Sequence, residues 1–251
     1  TPEPYNGSRF PQVTACDNVR AQYRLVTEKF GIKKLPLVTG WSMGALQTFH
    51  WGALFPKMVE RIAPFCGSAK CSRHNFVFLE GVKAALTADA AFAGGWYKSK
   101  PETGLRAMAR VYAGWGLSQA FYRQELDLKA LGYSSLEDFL VAFWEGFFLA
   151  RDANNLLTML WTWQQGDISN NPMYGDDFEK ALGAIKAKAF VMPGQTDLYF
   201  PVEDNEYEVS KMPNAELRPI PSIWGHFAGG PGMNKVDVKF IDDALKELLA
   251  R

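Results

Sequence analysis

The feature that most constrains this chain is the pentapeptide Gly40-Trp41-Ser42-Met43-Gly44, set between an apolar run and a helix-like segment. Upstream, Leu35-Pro36-Leu37-Val38-Thr39 reads as a buried strand, with Pro36 near its start, where a missing amide proton is tolerated. Downstream, Ala45 to Leu54 reads as a helix that halts before Pro56. A serine between glycines at such a junction sits on a strained turn at the carboxyl end of a strand, its hydroxyl free of its own helix. The helix start also aims backbone N–H groups at developing negative charge. The pattern points to nucleophilic chemistry at Ser42, provided that a neighbouring base takes the hydroxyl proton.

The elements around the pentapeptide follow a core, insertion, core order. Thr14 and Asp17 have capping-box spacing, and Val19, Tyr23, Val26 and Phe30 recur at helical intervals, so 15–30 reads as an amphipathic helix stopped by Gly31. Further strands are expected at 59–65, 187–192 and 215–220, and a closing amphipathic helix at 236–249. Between the second and third strands the chain has helical character throughout. The expected parts are therefore a first core segment at 1–72, a helical insertion at 73–175 and a second core segment at 176–251. Within the insertion, Ser135 and Asp138 again have capping-box spacing, and Leu136, Phe139, Leu140, Phe143, Trp144 and Phe147 form one broad helical stripe. Trp96, Trp115, Trp144, Trp161 and Trp163 also lie there. This aromatic material reads either as helix-on-helix core or as a cap whose underside lines an apolar pocket.

Composition narrows the function classes. Lys+Arg and Asp+Glu both number 27, and no long basic run could follow a phosphate backbone, so nucleic acid is not expected as a partner. No run of about 18 apolar residues marks a membrane span, and the segment from Thr1 to Gly7 lacks the pattern of a secretory signal. Cys16, Cys66 and Cys71 are an odd number without CxxC spacing, which encodes neither a disulfide framework nor a zinc site and fits a cytoplasmic location. The histidines do not cluster and no phosphate-binding glycine loop appears, so no metal and no organic cofactor is expected.

Only three histidines are available as the base. His50 lies on the same expected helix as Ser42, roughly 12 Å further along its axis, out of reach of the hydroxyl. His74 opens the insertion in a polar loop. His226 follows the last strand, in Trp224-Gly225-His226, and is the expected base. The orienting acid should fall between serine and histidine in the chain. Asp197, in Pro193-Gly194-Gln195-Thr196-Asp197 directly after the strand at 187–192, satisfies this, with Asp204 as runner-up.

Together these residues resemble the homoserine O-acetyltransferase-like branch of the α/β-hydrolases, which holds acetyl-CoA-dependent acyltransferases and simple esterases. The resemblance rests on Gly40 to Gly44 extended through Gln47, Phe55-Pro56 to Val59 and Ile62, Arg151-Asp152-Ala153-Asn154, Asp197-Leu198-Tyr199-Phe200-Pro201, and Gly225-His226. It implies an α/β-hydrolase fold with a mostly parallel sheet and an inserted helical cap. It also implies that Ser42 is the acyl-enzyme nucleophile, that Asp197 and His226 complete a triad and that the Met43 amide is one oxyanion donor. Trp41, Arg151, Tyr199 and Phe227 are the implied substrate contacts, and a homodimer through the cap helices is the implied assembly.

Three departures refine the expectation. The transferases place an acidic residue straight after the catalytic histidine, where it can bind a substrate ammonium; Phe227 stands there and cannot make that charge-assisted contact. They also carry a second glycine before the serine, where this chain has Trp41. Finally, the first strands of the fold, and the loop that supplies a second oxyanion amide, are not found before the elbow, so a longer polypeptide is expected to carry them. The expected substrate is a small carboxylic ester, probed as a short-chain acetate. The expected reaction is hydrolysis, with O-acetyl transfer from acetyl-CoA to a hydroxyl such as that of homoserine as the second reading and a catalytically silent scaffold as the third.

Overall fold

The computed structural model describes residues 3–251; Thr1 and Pro2, with which the expected first core segment opens, lie outside them. The described residues form two compact units, one of Thr14–Cys71 with Gln165–Arg251 and one of residues 3–13 with Ser72–Gln164. Residues 165–175, expected in the insertion, thus group with the sheet, and the N-terminal residues before Thr14 group with the helices.

The first unit is built on a parallel sheet of β1 (Val38–Trp41), β2 (Arg61–Phe65), β3 (Lys188–Val191) and β4 (Ala215–Leu217), ordered β1-β2-β3-β4. Alternating side chains feed two cores. Ile62, Ala189 and Val191 join Val19, Phe49 and Ala53, from helices α1 (Ala15–Arg24) and α2 (Met43–Leu54). Ala63, Phe190 and Met192 join Ile241, Ala244 and Leu248 of the closing helix Lys235–Ala250. This period-two division, with helices covering both faces, is what a parallel sheet requires.

Prolines shift the strand limits from their expected places. Leu35 pairs with Met58 and Glu60, but Pro36 cannot donate, and the regular ladder of β1 starts only at Val38. Among the described residues β1 has β2 as its one partner strand, and it is half-buried with Thr39 exposed, where its apolar run reads as a buried strand. Pro219 likewise ends β4 at Leu217, although Ile220 still donates to the Pro193 carbonyl at 2.8 Å. The capping box of Thr14 and Asp17 forms, and α1 runs on as a π-helical turn, Leu25–Lys29, before Gly31 at φ +65° stops it.

The second unit is helical. Its core gathers Leu79, Val82 and Leu86 from α3 (Arg73–Thr87), Leu105 and Met108 from α4 (Glu102–Gly116), and Phe121 and Phe139. The Ser135 hydroxyl accepts the Asp138 amide at 3.0 Å, but the Asp138 carboxylate takes the Ser134 amide, so the reciprocal half of the box slips by one residue. The expected stripe also divides. Leu140–Glu145 is π-helical, which changes the turn period; Phe139 and Trp144 are buried while Leu136 and Phe147 are exposed. Trp144 and Trp163 pack inside, whereas Trp96 is 48% exposed. Among the described residues, no helix is long and apolar enough to cross a membrane.

Candidate active site

Ser42 stands between β1 and α2 with φ 60° and ψ −123°, a conformation rare outside glycine and costly to hold. Its N–H donates to the Phe65 carbonyl at 3.2 Å. Gly40 lies so close to the first turn of α2 that an added Cβ would come within 2.5 Å of the Gly44 carbonyl. A Cβ on Gly44 would meet nothing within 4 Å, so only one of the two flanking glycines is required for space. The second tight approach comes from Gly67, after β2, where a Cβ would lie 2.7 Å from the Ser42 carbonyl oxygen.

The Ser42 hydroxyl lies 2.8 Å from His226 Nε2, and His226 Nδ1 lies 2.8 Å from Asp197 Oδ2. Because a carboxylate only accepts, Nδ1 carries the proton and donates to Asp197, leaving the Nε2 lone pair facing the hydroxyl. The other Asp197 oxygen accepts the amides of Tyr199 at 2.8 Å and Phe200 at 3.3 Å. Asp197 and His226 are both buried. The three side chains come from the carboxyl ends of β1, β3 and β4, which a parallel sheet brings to one edge.

Aromatic rings enclose the imidazole. Trp41 stacks on it with centroids 4.8 Å apart and donates its indole N–H to the His226 carbonyl at 2.9 Å. Tyr199 meets it edge-on at 4.8 Å, and Phe227 lies 6.0 Å from the Trp41 ring. Met43 is the first residue of α2, so its amide has no carbonyl one turn earlier to bind.

The other candidates have contacts of their own. Asp204 is in the first turn of the helix Val202–Lys211. His50 is buried on α2 with Nδ1 2.9 Å from the Leu46 carbonyl, and burial lowers its pKa. His74, exposed on α3, packs its ring against Trp115 at 4.8 Å. Arg151 belongs to the helical unit, where its guanidinium bonds the Phe147 carbonyl and covers the Phe147 ring. Among the described residues, no three His, Cys, Asp or Glu side chains are grouped to hold a metal ion.

Sequence reasoning passed over the residues that fasten these loops. Thr196 Oγ1 donates to the Ser222 carbonyl at 2.9 Å and accepts the Gly225 amide at 3.1 Å, tying the acid loop to the histidine loop. Ser222 Oγ donates to Asp237 at 2.6 Å and accepts the Trp224 amide at 3.1 Å. Asp237 is an acid in the first turn of the helix Lys235–Ala250, and it is buried.

A parallel sheet wrapped by helices, with a serine on the strained turn from strand to helix, is the architecture of the α/β-hydrolases. No family model matches the chain. An ethyl acetate hydrolase of Pseudomonas veronii is 43% identical over 249 residues, covering 97% of this chain and 69% of that protein. A homoserine O-acetyltransferase of Trichormus variabilis is 30% identical over 231 residues, covering 90% of this chain and 62% of that one. The solved acetyl esterase MekB superposes with a TM-score of 0.96 at 42% identity, covering 100% of this chain and 72% of that one. The chain belongs to the homoserine O-acetyltransferase-like branch of the α/β-hydrolases, a group of esterases and related O-acyltransferases.

Proposed function

We propose that the chain hydrolyses short-chain carboxylic esters, acetates foremost, through an acyl-enzyme on Ser42. The observation that carries this reading is the hydrogen-bonded relay from Ser42 through His226 to Asp197. His226 Nε2 takes the Ser42 proton as Oγ attacks the ester carbonyl, and the Met43 amide faces the developing oxyanion. The tetrahedral adduct collapses, the alcohol leaves with the proton from His226, and the acyl group stays on Oγ. Water, deprotonated by His226, then releases the acid and restores Ser42. Asp197 holds the imidazole in the tautomer that this needs.

Acetyl transfer to a hydroxyl acceptor is the second reading, favoured by the likeness to the homoserine O-acetyltransferase. Trp41 and Phe227 weigh toward water, because apolar rings beside His226 offer no anion for a substrate ammonium. The supporting relatives are an ethyl acetate hydrolase and an acetyl esterase. Three cysteines, Cys16, Cys66 and Cys71, an odd number without CxxC spacing, support a reducing, cytoplasmic compartment.

Hydrolysis of 4-nitrophenyl acetate by the wild type and by S42A tests the proposal. A loss of about 10⁴-fold or more in kcat is expected for S42A. An unchanged rate removes Ser42 from the mechanism and favours a silent scaffold. Thiol release from acetyl-CoA that depends on an added alcohol favours the transferase.

A further inference from the structure

Glu208, on the helix Val202–Lys211, is a carboxyl group buried to 3% exposure in a place where the sheet and its cores do not need one. Its Oε1 accepts the Ala69 amide at 2.7 Å, and its Oε2 accepts Asn205 Nδ2, also at 2.7 Å. The same Asn205 nitrogen donates to the Gly67 carbonyl at 3.1 Å. Asn205 is itself 0% exposed. Both hydrogen-bonded positions belong to the turn after β2, and there Gly67 passes so close to the elbow that a Cβ on it would stand 2.7 Å from the Ser42 carbonyl oxygen and 2.5 Å from the Ala45 Cβ. Cys66, at the start of that turn, has φ 46°, so the turn is itself held in an unfavourable conformation. The outer side of the turn is fixed separately, by Cys71 N–H on the Gly166 carbonyl at 2.7 Å and Ile168 N–H on the Ala69 carbonyl at 3.1 Å.

A buried carboxyl is expensive unless its partners use its hydrogen-bonding capacity, and here the partners are the backbone behind the elbow. Burial pushes the Glu208 carboxyl up to about 8, against the pull of its amide donors. We propose that Glu208 and Asn205 are positioning residues for Ser42: together they hold Gly67 against the Ser42 carbonyl and so keep the strained turn, and the hydroxyl it presents, in register with His226. This rests on the reading of Ser42 as nucleophile.

The test uses the full chain, a fluorophosphonate probe that labels the serine directly, and 4-nitrophenyl acetate. In N205A and E208A, labelling and kcat should fall together by about 10- to 100-fold while KM stays within about twofold, since a small misplacement of a reacting atom acts on the chemical step. E208Q keeps an acceptor for the Ala69 amide but turns its Nε2 toward Asn205 Nδ2, so it should recover only the part of the loss that the Ala69 contact carries. Folded variants labelled at the wild-type rate would overturn the proposal, as would losses that match only the unfolded fraction seen by circular dichroism. Should E208A not fold, N205A and E208Q decide it on the same readouts. A wild type that is not labelled at Ser42 removes the nucleophile and this proposal with it; a labelled wild type with equally labelled variants removes this proposal alone.

Discussion

The sheet unit and the helical unit both bury carboxyl groups, and they use them differently. Around Ser42 and His226, Asp197, Glu208 and Asp237 are each bonded to groups that fix backbone: the amides of Tyr199 and Phe200, the amide of Ala69, and Ser222 with the Trp224 amide behind it. In the helical unit, Glu145 is bonded side chain to side chain, to Arg106 at 2.5 Å and Arg110 at 2.6 Å, with Glu137 bound to the far side of Arg110. Long arginines can follow small movements of a helix, whereas an amide held by a buried carboxyl group fixes a loop. The difference teaches where geometry is specified tightly and where the fold only needs neutralised charge.

The sharpest way to break the comparison is D197N. The side chain keeps its shape and can still accept the Tyr199 amide, but its Nδ2 now faces His226 Nδ1 and favours the tautomer that protonates Nε2. A fall in kcat of about 10⁴-fold is expected, with thermal unfolding little moved. Ester hydrolysis near the wild-type rate would mean that the Asp197 contact is structural.

A second test uses pH and Glu208. Its folded carboxyl is raised from 4.5 to about 8 by burial, with Asp204 one turn back adding to the rise and the amides of Ala69 and Lys70 and the Asn205 side chain opposing it. The Lys70 ammonium is turned to Asp167, 2.7 Å away. The folded state therefore keeps a proton that the unfolded chain loses above 4.5, so stability falls as pH rises from about 4.5 to about 8 and is level beyond that. E208Q has no such proton. The unfolding free energies of wild type and E208Q should diverge in favour of E208Q by on the order of a few kcal/mol between about pH 5 and about pH 9. Parallel curves in urea unfolding at the two pH values would place the Glu208 carboxyl in a far more polar setting than its burial indicates.

Local signals carried much of this molecule, and the places where they stopped share one cause. Ser42, His226 and Asp197 were legible because glycine spacing, a count of three histidines and the order of loops after strands are all written along the chain. The strand ends at Pro36 and Pro219 slipped by a few residues because a proline removes one donor while its neighbours still pair, which periodicity does not register. The apolar run of β1 reads as a buried strand, and it is half-buried because β2 is its one partner among the described residues. Gly67, Asn205 and Asp237 left no mark at all. Each matters through a partner far away in sequence, Gly67 with Ser42, Asn205 with Gly67 and Asp237 with Ser222, and no local pattern encodes such pairs.

The smallest expected effect returns to the helical unit. Burial alone would raise the Glu145 pKa, but hydrogen bonds from Arg106 and Arg110 outweigh it and hold the carboxyl below the usual range. Both arginines are more than two-fifths exposed, at 44% and 43%, so water can take over their solvation when the carboxylate goes. E145A should therefore cost about 1 to 2 kcal/mol, less than breaking a fully buried pair, and the loss should be read from urea unfolding. Fluorophosphonate labelling of Ser42 in the folded variant should stay at the wild-type rate. If labelling instead falls as far as in N205A, the two units are not separate in what they control, and the ion pairs of the helical unit fix the serine's geometry as firmly as the backbone bonds behind it.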